Sequence, residues 1–192
     1  MPKVLPEYKA QARDRIIAAA RKVFHRRGFA AVTMEDIATE LGVSKGAIYL
    51  YFPSRAGLLR AIQTAARREA SAVMAGMLEK GDVAEDLAGF MDQFLSGVVD
   101  PSIWHSLLAE AHDDPEIRKA LLDDRRQDAR AMRRFLLQLR ERGRISPEGD
   151  LDARVTLVVA ALQDAATQYL LDSDRTATRR RLVRALRVAL GT

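Results

Sequence analysis

Residues 33–52 contain several side chains that can donate hydrogen bonds to nucleic acid. Lys45 can donate to the O6 and N7 atoms of guanine, and the hydroxyls of Tyr49 and Tyr51 can donate to phosphate oxygens. Gly46 has no side chain, so the backbone beside Lys45 can approach a duplex closely. Each residue also has an ordinary interpretation: a solvated lysine, a small residue in a tight turn, and a tyrosine packed in the core. Together, the residue types favour contact with DNA.

The pattern around these residues predicts two short helices joined by a tight turn, which is a helix-turn-helix. Thr33 can cap the first helix, with Asp36 in the capping-box position. Gly42 supplies the backbone freedom that the turn requires, and Ser44 can cap a second helix from Lys45 to about residue 51. We expect the apolar residues of both helices and of the turn to face the core: Ile37, Ala38, Leu41, Val43, Ile48 and Phe52.

Several charged residues near this motif could contact DNA, and each of them also has an alternative role. Glu35 can accept a hydrogen bond from cytosine N4, or it can stabilise the positive end of its own helix dipole. Lys3, Lys9 and Arg13 can reach the DNA backbone or minor groove, or they can be ordinary charges of a disordered terminus.

The net charge of +5 lies entirely in residues 1–55, which contain ten Lys and Arg against five Asp and Glu. The remainder of the chain is therefore neutral. A localised excess of this kind gives sequence-independent attraction to phosphate, although five charges can also be ordinary surface. Its coincidence with the helix-turn-helix favours nucleic acid.

Composition excludes several other classes. The 192 residues are 48% hydrophobic and 30% charged, which is typical of a soluble protein with a good core. The absence of Cys excludes disulfides and thiolate chemistry and fits a cytoplasmic location. We expect no membrane-spanning segment and no signal peptide. No catalytic constellation or metal cluster is recognisable, so we expect neither an enzyme nor a cofactor.

Helical periodicity throughout predicts an all-α fold of about nine helices, with an N-terminal three-helix domain in residues 1–55 and a helical bundle in residues 56–192. The expected helices are residues 8–27, 33–41, 45–51, 54–78, 84–95, 101–113, 115–142, 151–171 and about 175–190. Because no flexible spacer intervenes, the fourth helix should join the two domains.

Two features of the last two helices suggest contacts outside the core. The helix at 151–171 is apolar around most of its surface, so it must be buried on several sides and suggests a partner surface. The final helix carries a cluster of arginines, which we interpret as a solvated face that pairs with acidic residues such as those of the seventh helix. The cluster comprises Arg179, Arg180, Arg181, Arg184 and Arg187.

The stretch from Arg15 to Leu59, about a quarter of the chain, resembles the N-terminal domain of TetR-type transcriptional regulators. The remainder resembles that family only in size and helix count. Two positions depart from the family pattern: Arg55 is usually Lys, and Ala56 is often Glu. The matching residues are Ile17, Ala19, Ala20, Phe24, Gly28, Phe29, Thr33, Ile37, Ala38, Gly42, Val43, Ser44, Gly46, Tyr49, Phe52, Leu58 and Leu59.

The resemblance implies a ligand-responsive homodimer, most often a repressor, that binds a palindromic operator in double-stranded DNA and is released by a small-molecule effector. The dimer would form through the helices at about 151–171 and 175–190. By position, Lys45, Gly46 and Ala47 would face the bases. The residues that would approach the DNA backbone are Thr33, Ser44, Tyr49, Tyr51 and Arg55. The alternative is a constitutive DNA-binding or architectural protein without an effector.

The resemblance also implies a cavity for a small apolar or amphipathic effector in the C-terminal bundle. The candidate lining residues are Phe90, Phe94, Trp104, His105, Leu108, His112, Gln163 and Tyr169. Aromatic residues at helical spacing are more often plain core. His105 and His112 are two helical turns apart, too far to share a metal ion, so we expect no metal site.

Overall fold

The computed structural model describes residues 6–79, 81–97, 101–171 and 174–192, and all the regular structure in these residues is α-helical. This confirms the predicted all-α fold, with nine helices among the described residues and with α3 and α4 ending about two residues earlier than expected. The helices are α1 (Pro6–Arg27), α2 (Met34–Leu41), α3 (Lys45–Tyr49), α4 (Arg55–Gly76), α5 (Val83–Gly97), α6 (Pro101–Asp113), α7 (Pro115–Glu141), α8 (Leu151–Leu171) and α9 (Arg175–Leu190).

The chain forms two compact units. The N-terminal unit runs to Ala65 and also contains Ser102–Leu121, so that α6 and the first turns of α7 belong to it. The C-terminal unit comprises residues 66–101 and 122–192. The boundary between these packing units divides α4 after Ala65 and α7 after Leu121. The predicted boundary at residue 55 separates a DNA-binding domain from a ligand-binding domain by function, and it stays a prediction.

The core of the N-terminal unit is built from the apolar faces of α1 to α4, α6 and α7. Leu107 and Ala111 lie one turn apart on α6, and Ile117 and Leu121 do the same on α7, so each helix buries one face in this core. The other large members include Ile16, Val23, Phe24, Phe29, Val32, Ile37, Ile48, Phe52, Leu58 and Leu59.

In the C-terminal unit, α8 and α9 share a core with α5 and the second half of α7. The expectation that α8 is buried on several sides holds only in part, because Val158 is fully buried while Leu157 is 54% exposed. On α9, Leu186 is buried and Val188 is 83% exposed. Both helices therefore keep apolar side chains on the face turned away from this core.

The arginines of α9 pair with a different helix from the one we predicted. Arg179 forms ion pairs with Glu85 at 2.8 Å and with Asp92 at 3.0 Å. Arg187 pairs with Asp82 at 2.8 Å. The prediction of α7 as their partner is wrong for these two arginines, because α9 packs against α5 and the carboxylates there are closer.

Acidic residues of α7 instead bind an arginine of α4. The Arg67 guanidinium donates to Asp124, to Gln127 at 2.8 Å and to Asp128 at 2.7 Å. Burial raises the pKa of Asp124 to about 6, and the nearby Asp128 carboxylate adds to the increase while Arg67 partly opposes it. The folded state therefore holds a proton on Asp124 more readily than the unfolded chain does.

This elevated pKa predicts a pH-dependent effect of Asp124→Asn. The stability that the protonated carboxyl confers is present below about pH 4 and is lost as the pH rises through about 6. Relative to the natural chain, the free energy of unfolding of D124N should therefore rise by up to about 3 kcal/mol between pH 4 and pH 7. Urea unfolding at both pH values measures the difference.

The matched control is Asp123→Asn, at a half-exposed carboxylate that pairs with Arg126 one turn along the same helix. D123N removes an exposed ion pair, so it should change the free energy of unfolding by less than about 1 kcal/mol. An offset for D124N that does not change with pH would contradict the buried-carboxyl interpretation.

Candidate nucleic-acid interface

The start of α2 is fixed by the predicted capping box. The Thr33 hydroxyl accepts a hydrogen bond from the backbone N–H of Asp36 at 3.2 Å, and the Asp36 carboxylate accepts one from the Thr33 N–H at 2.7 Å. Arg27 from α1 pairs with the same carboxylate at 2.5 Å. The Thr33 N–H and hydroxyl, followed by Arg27, lower the pKa of Asp36 to about 2. The carboxylate thus ties α1 to α2.

The turn between α2 and α3 depends on Gly42, which has φ 67° and ψ 31°, in the left-handed region that glycine favours. The Val43 N–H donates to the Ala38 carbonyl at 3.0 Å, so backbone hydrogen bonds close the turn. The prediction that Val43 packs into the core is wrong, since its side chain is 43% exposed. The core beneath the turn is occupied by Ile37 and Ile48.

Helix α3 is five residues long and is anchored at both ends. At its start, the Ser44 hydroxyl accepts a hydrogen bond from the Ala47 N–H at 3.2 Å, as predicted. At its end, Ile48 and Phe52 are buried in the core of the N-terminal unit. Lys45 therefore occupies a helix whose axis is fixed by packing and capping.

The outer surface of α3 carries the exposed residues Lys45, Gly46 and Tyr49, and the structure brings these three predicted DNA-contacting residues together. Leu50, which follows them, is 84% exposed and was missed by the sequence analysis. The signal was present: with Ile48 directed inward, a residue two positions later points to the opposite side of the helix.

Four other residues predicted to contact DNA are either half-buried or carry a hydroxyl that is engaged in a helix cap. Ala47 is half-buried, and the hydroxyls of Thr33 and Ser44 are engaged in their helix caps. Tyr51 is half-buried against the core of the N-terminal unit, which was the alternative interpretation for a tyrosine here. Contact of Tyr51 with phosphate stays a prediction.

Glu35 has a partner that the sequence analysis did not consider. Its carboxylate lies 3.5 Å from the Lys45 ammonium, and both side chains are exposed. An exposed pair of this length contributes little to stability. It does place an acid from α2 beside the first residue of α3.

Lys3, Lys9 and Arg13 are the N-terminal cations that could reach the DNA backbone or minor groove. Arg13 donates to the Tyr51 carbonyl at 2.8 Å, and its guanidinium carbon lies 4.3 Å from the centre of the Phe52 ring. Lys9 is exposed on α1, and Lys3 lies outside the described residues. Arg13 thus contacts the segment that follows α3.

Arg55 is only partly exposed and has several internal partners. It donates to Glu110 of α6 at 2.5 Å and to the Phe29 carbonyl, with its guanidinium carbon 4.0 Å from the centre of the Phe29 ring. Burial raises the pKa of Glu110, Asp114 also raises it, and Arg55 lowers it. The predicted phosphate contact of Arg55 stays a prediction, while the structure assigns its guanidinium to internal partners.

The candidate effector-lining residues are distributed over both units. Phe90, Gln163 and Tyr169 are half-buried in the C-terminal unit, where Gln163 accepts a hydrogen bond from Arg125 at 2.8 Å and Tyr169 donates to Asp92. Leu108 and His112 are exposed on α6 in the N-terminal unit. Lining of a common cavity stays a prediction for all five.

The side chains of the other three lining candidates, Phe94, Trp104 and His105, lie outside the described part of the structure. Within the residues whose positions are described, there is no group of three His, Cys, Asp or Glu side chains that could hold a metal ion. The described helices also include none with the length and apolar character needed to cross a bilayer.

The geometry defines a helix-turn-helix DNA-binding domain, and comparison with known proteins identifies its type. Residues 16–62 match the family of bacterial regulatory proteins described as the tetR family. Among curated proteins, the chain is 33% identical over 99 residues to the HTH-type transcriptional regulator YfiR of Bacillus subtilis. It is 43% identical over 56 residues to the HTH-type transcriptional regulator TtgR of Pseudomonas putida.

These matches cover 52% and 29% of this chain. The chain spans about half the length of YfiR (48%) and about a quarter of TtgR (27%). The sequence similarity to these two regulators therefore covers only part of the chain.

Likeness to solved structures extends over the whole chain. Salmonella enterica GusR superimposes with a TM-score of 0.75 at 20% identity, covering 100% of both chains. A transcriptional regulator of Saccharomonospora viridis in complex with choline has a TM-score of 0.66 at 24% identity, covering 90% of this chain and 94% of that one. RolR in complex with resorcinol has a TM-score of 0.59 at 25% identity and covers 96% of both chains.

The domain match and the whole-chain fold agree. Residues 16–62 of this chain match the tetR family of bacterial regulatory proteins, and the fold of the whole chain resembles solved structures of transcriptional regulators.

The left-handed backbone at the turn predicts a specific cost for Gly42→Ala. An alanine at φ 67° is strained, so the free energy of unfolding should fall by about 1 kcal/mol. Gly46→Ala is the matched control, since its added Cβ would lie 3.9 Å from the Ser44 hydroxyl, an ordinary contact, and alanine favours a helix. Urea unfolding should show G46A at least as stable as the natural chain. Equal stability of the two variants would contradict the assigned turn geometry.

Proposed function

We propose that this protein is a homodimeric transcriptional repressor that binds a palindromic operator through the major groove and is released by a small-molecule effector. The observation that carries the proposal is the outer surface of α3. Lys45, Gly46 and Tyr49 are exposed together on a helix that is held by caps and by the buried Ile48 and Phe52. This arrangement lies inside the matched family domain.

The roles of these residues follow from their chemistry. Lys45, at the first position of α3, can donate to guanine O6 and N7 at the floor of the major groove. Gly46 and Ala47 present little or no side chain, which permits close approach of the helix to the base edges. The Tyr49 hydroxyl can donate to a phosphate and so fix the register of the helix on the duplex.

The exposed apolar side chains of α8 and α9 support a homodimer. Leu157 and Val188 lie on the outer faces of helices whose inner faces are buried in one core. A second copy of the chain would cover these residues and place two α3 helices on two half-sites. Regulators of this family function as dimers.

Effector control is supported by relatives with the same fold. The Saccharomonospora viridis regulator binds choline and RolR binds resorcinol in their crystal structures. In this protein an effector would act by binding one conformation of the C-terminal unit more tightly than another, because only differential affinity can shift an equilibrium. Continuous helix α4, which contributes to both units, would carry the change to the C-terminal end of the DNA-binding domain, next to α3.

The substitution Lys45→Ala tests whether Lys45 makes sequence-specific contacts with the bases. Duplexes are first enriched from a random pool with the natural chain, and Kd is then measured for an enriched duplex and a scrambled one at one salt concentration. Loss of a bidentate base contact should cost about 1–3 kcal/mol on the enriched duplex and much less on the scrambled one, so that the specificity ratio falls by about tenfold or more.

Lys119→Ala is the matched control, because it removes an equal charge from an exposed position of the same unit. It should weaken binding to both duplexes slightly and equally. If K45A behaves like K119A, Lys45 does not read bases. If the natural chain enriches no duplex at all, the operator-binding proposal fails, and a constitutive architectural protein becomes the better explanation.

A further inference from the structure

Arg55 joins three segments of the N-terminal unit. It is the first residue of α4, it donates to the carbonyl of Phe29 in the connection between α1 and α2, and it forms an ion pair with Glu110 of α6. The planar guanidinium also lies over the Phe29 ring at 4.0 Å. One side chain therefore sets the relative positions of α4, α6 and the chain segment that leads into α2.

The pair is well shielded from water, with side-chain exposures of 26% for Arg55 and 22% for Glu110. Among the described residues, neither Arg55 Nε nor Glu110 Oε2 has a hydrogen-bond partner, although both atoms are buried. Such incomplete satisfaction offsets much of the Coulomb attraction, so the pair is a poor source of stability. The contacts of the pair define the positions of the segments it joins more clearly than they increase the free energy of unfolding.

We propose that Arg55 is a positioning residue for DNA binding, which fixes α3 through the start of α4 by its contacts with Phe29 and Glu110 and does not act by binding phosphate. This inference rests on the proposed function. Its structural basis is the separation of only five residues between the end of α3 and Arg55, with Phe52 buried between them.

The residue type agrees with this role. A guanidinium can donate to a carbonyl and a carboxylate at the same time while stacking on a ring, whereas the ammonium of a lysine is a point charge without that fixed geometry. The arginine of this chain therefore matches its own surroundings, namely the Phe29 carbonyl and Glu110.

Helix α6 becomes a determinant of the DNA-binding geometry by the same contacts. Leu107 and Ala111 bury one face of α6 in the core of the N-terminal unit, which holds Glu110 in place. A displacement of α6 would move Glu110 and either draw Arg55 with it or break the pair. In both cases the start of α4 would lose its present position relative to α3.

Arg55→Lys and Glu110→Gln test the inference on a duplex that the natural chain has enriched from a random pool. Both variants should raise Kd by about tenfold or more, because a positioning error affects every contact of α3. The slope of log Kd against log salt should stay at its natural value, since no cation that neutralises a phosphate is removed. R55K/E110Q should bind no more weakly than the weaker single variant, because both changes break the same link.

Arg15→Lys and Glu116→Gln are the matched controls, since both residues are exposed in the same unit and the charge changes are identical. They should leave Kd within about twofold of the natural value. Urea unfolding of every variant establishes that binding is measured on folded protein. If one of the two single variants does not fold, the other one decides the outcome.

A phosphate-binding Arg55 gives the opposite results. R55K would then keep the natural affinity, and E110Q would bind equally or more tightly because a carboxylate near the phosphates is neutralised. Loss of the contact in Arg55→Met would reduce the salt slope by about 0.9. Either single variant that folds and binds like the natural chain overturns the inference. Failure of the natural chain to enrich any duplex refutes the proposed function itself, and the inference falls with it.

Discussion

A five-residue helix cannot be stable on its own, and the proposed DNA-binding surface of this protein depends on the packing that holds α3 in place. Helix nucleation fixes several residues for few hydrogen bonds, so an isolated segment of this length is unfolded in water. Burial of Ile48 and Phe52 and the Ser44 cap supply the missing free energy. The orientation of the exposed side of α3 therefore depends on how well the core beneath it is packed.

Two arginines stabilise the edges of this arrangement in the same manner. Arg13 donates to the Tyr51 carbonyl and stacks on Phe52, while Arg55 donates to the Phe29 carbonyl and stacks on the Phe29 ring. Further cations of residues 1–55 pair with acids inside the unit: Lys22 and Arg26 with Glu40, Arg27 with Asp36, and Lys45 with Glu35. Several cations of this region therefore hold the helices together, while its net positive charge favours attraction to DNA at long range.

The sequence predicts the local elements well and the contacts between distant segments poorly. Short-range sequence patterns predict the capping box of Thr33, the Gly42 turn and the nine described helices. Such patterns do not predict that α6 belongs to the N-terminal unit. An apolar stripe shows that a helix is buried, but it does not show which helices it packs against. The partners of Arg55 and of the α9 arginines were missed for the same reason: charge pairing depends on tertiary neighbours. At the site itself, Leu50 was predictable from helical phase, whereas the packing of Val43 was not.

Under the proposed function, two copies of this chain place their α3 helices in successive major grooves of one operator. Hydroxyl-radical footprinting on a duplex enriched by the natural chain tests it most directly. We expect protection of two symmetry-related half-sites whose centres are about 10 base pairs, or a multiple of that, apart. Protection of a single half-site, or uniform protection along the duplex, would contradict it.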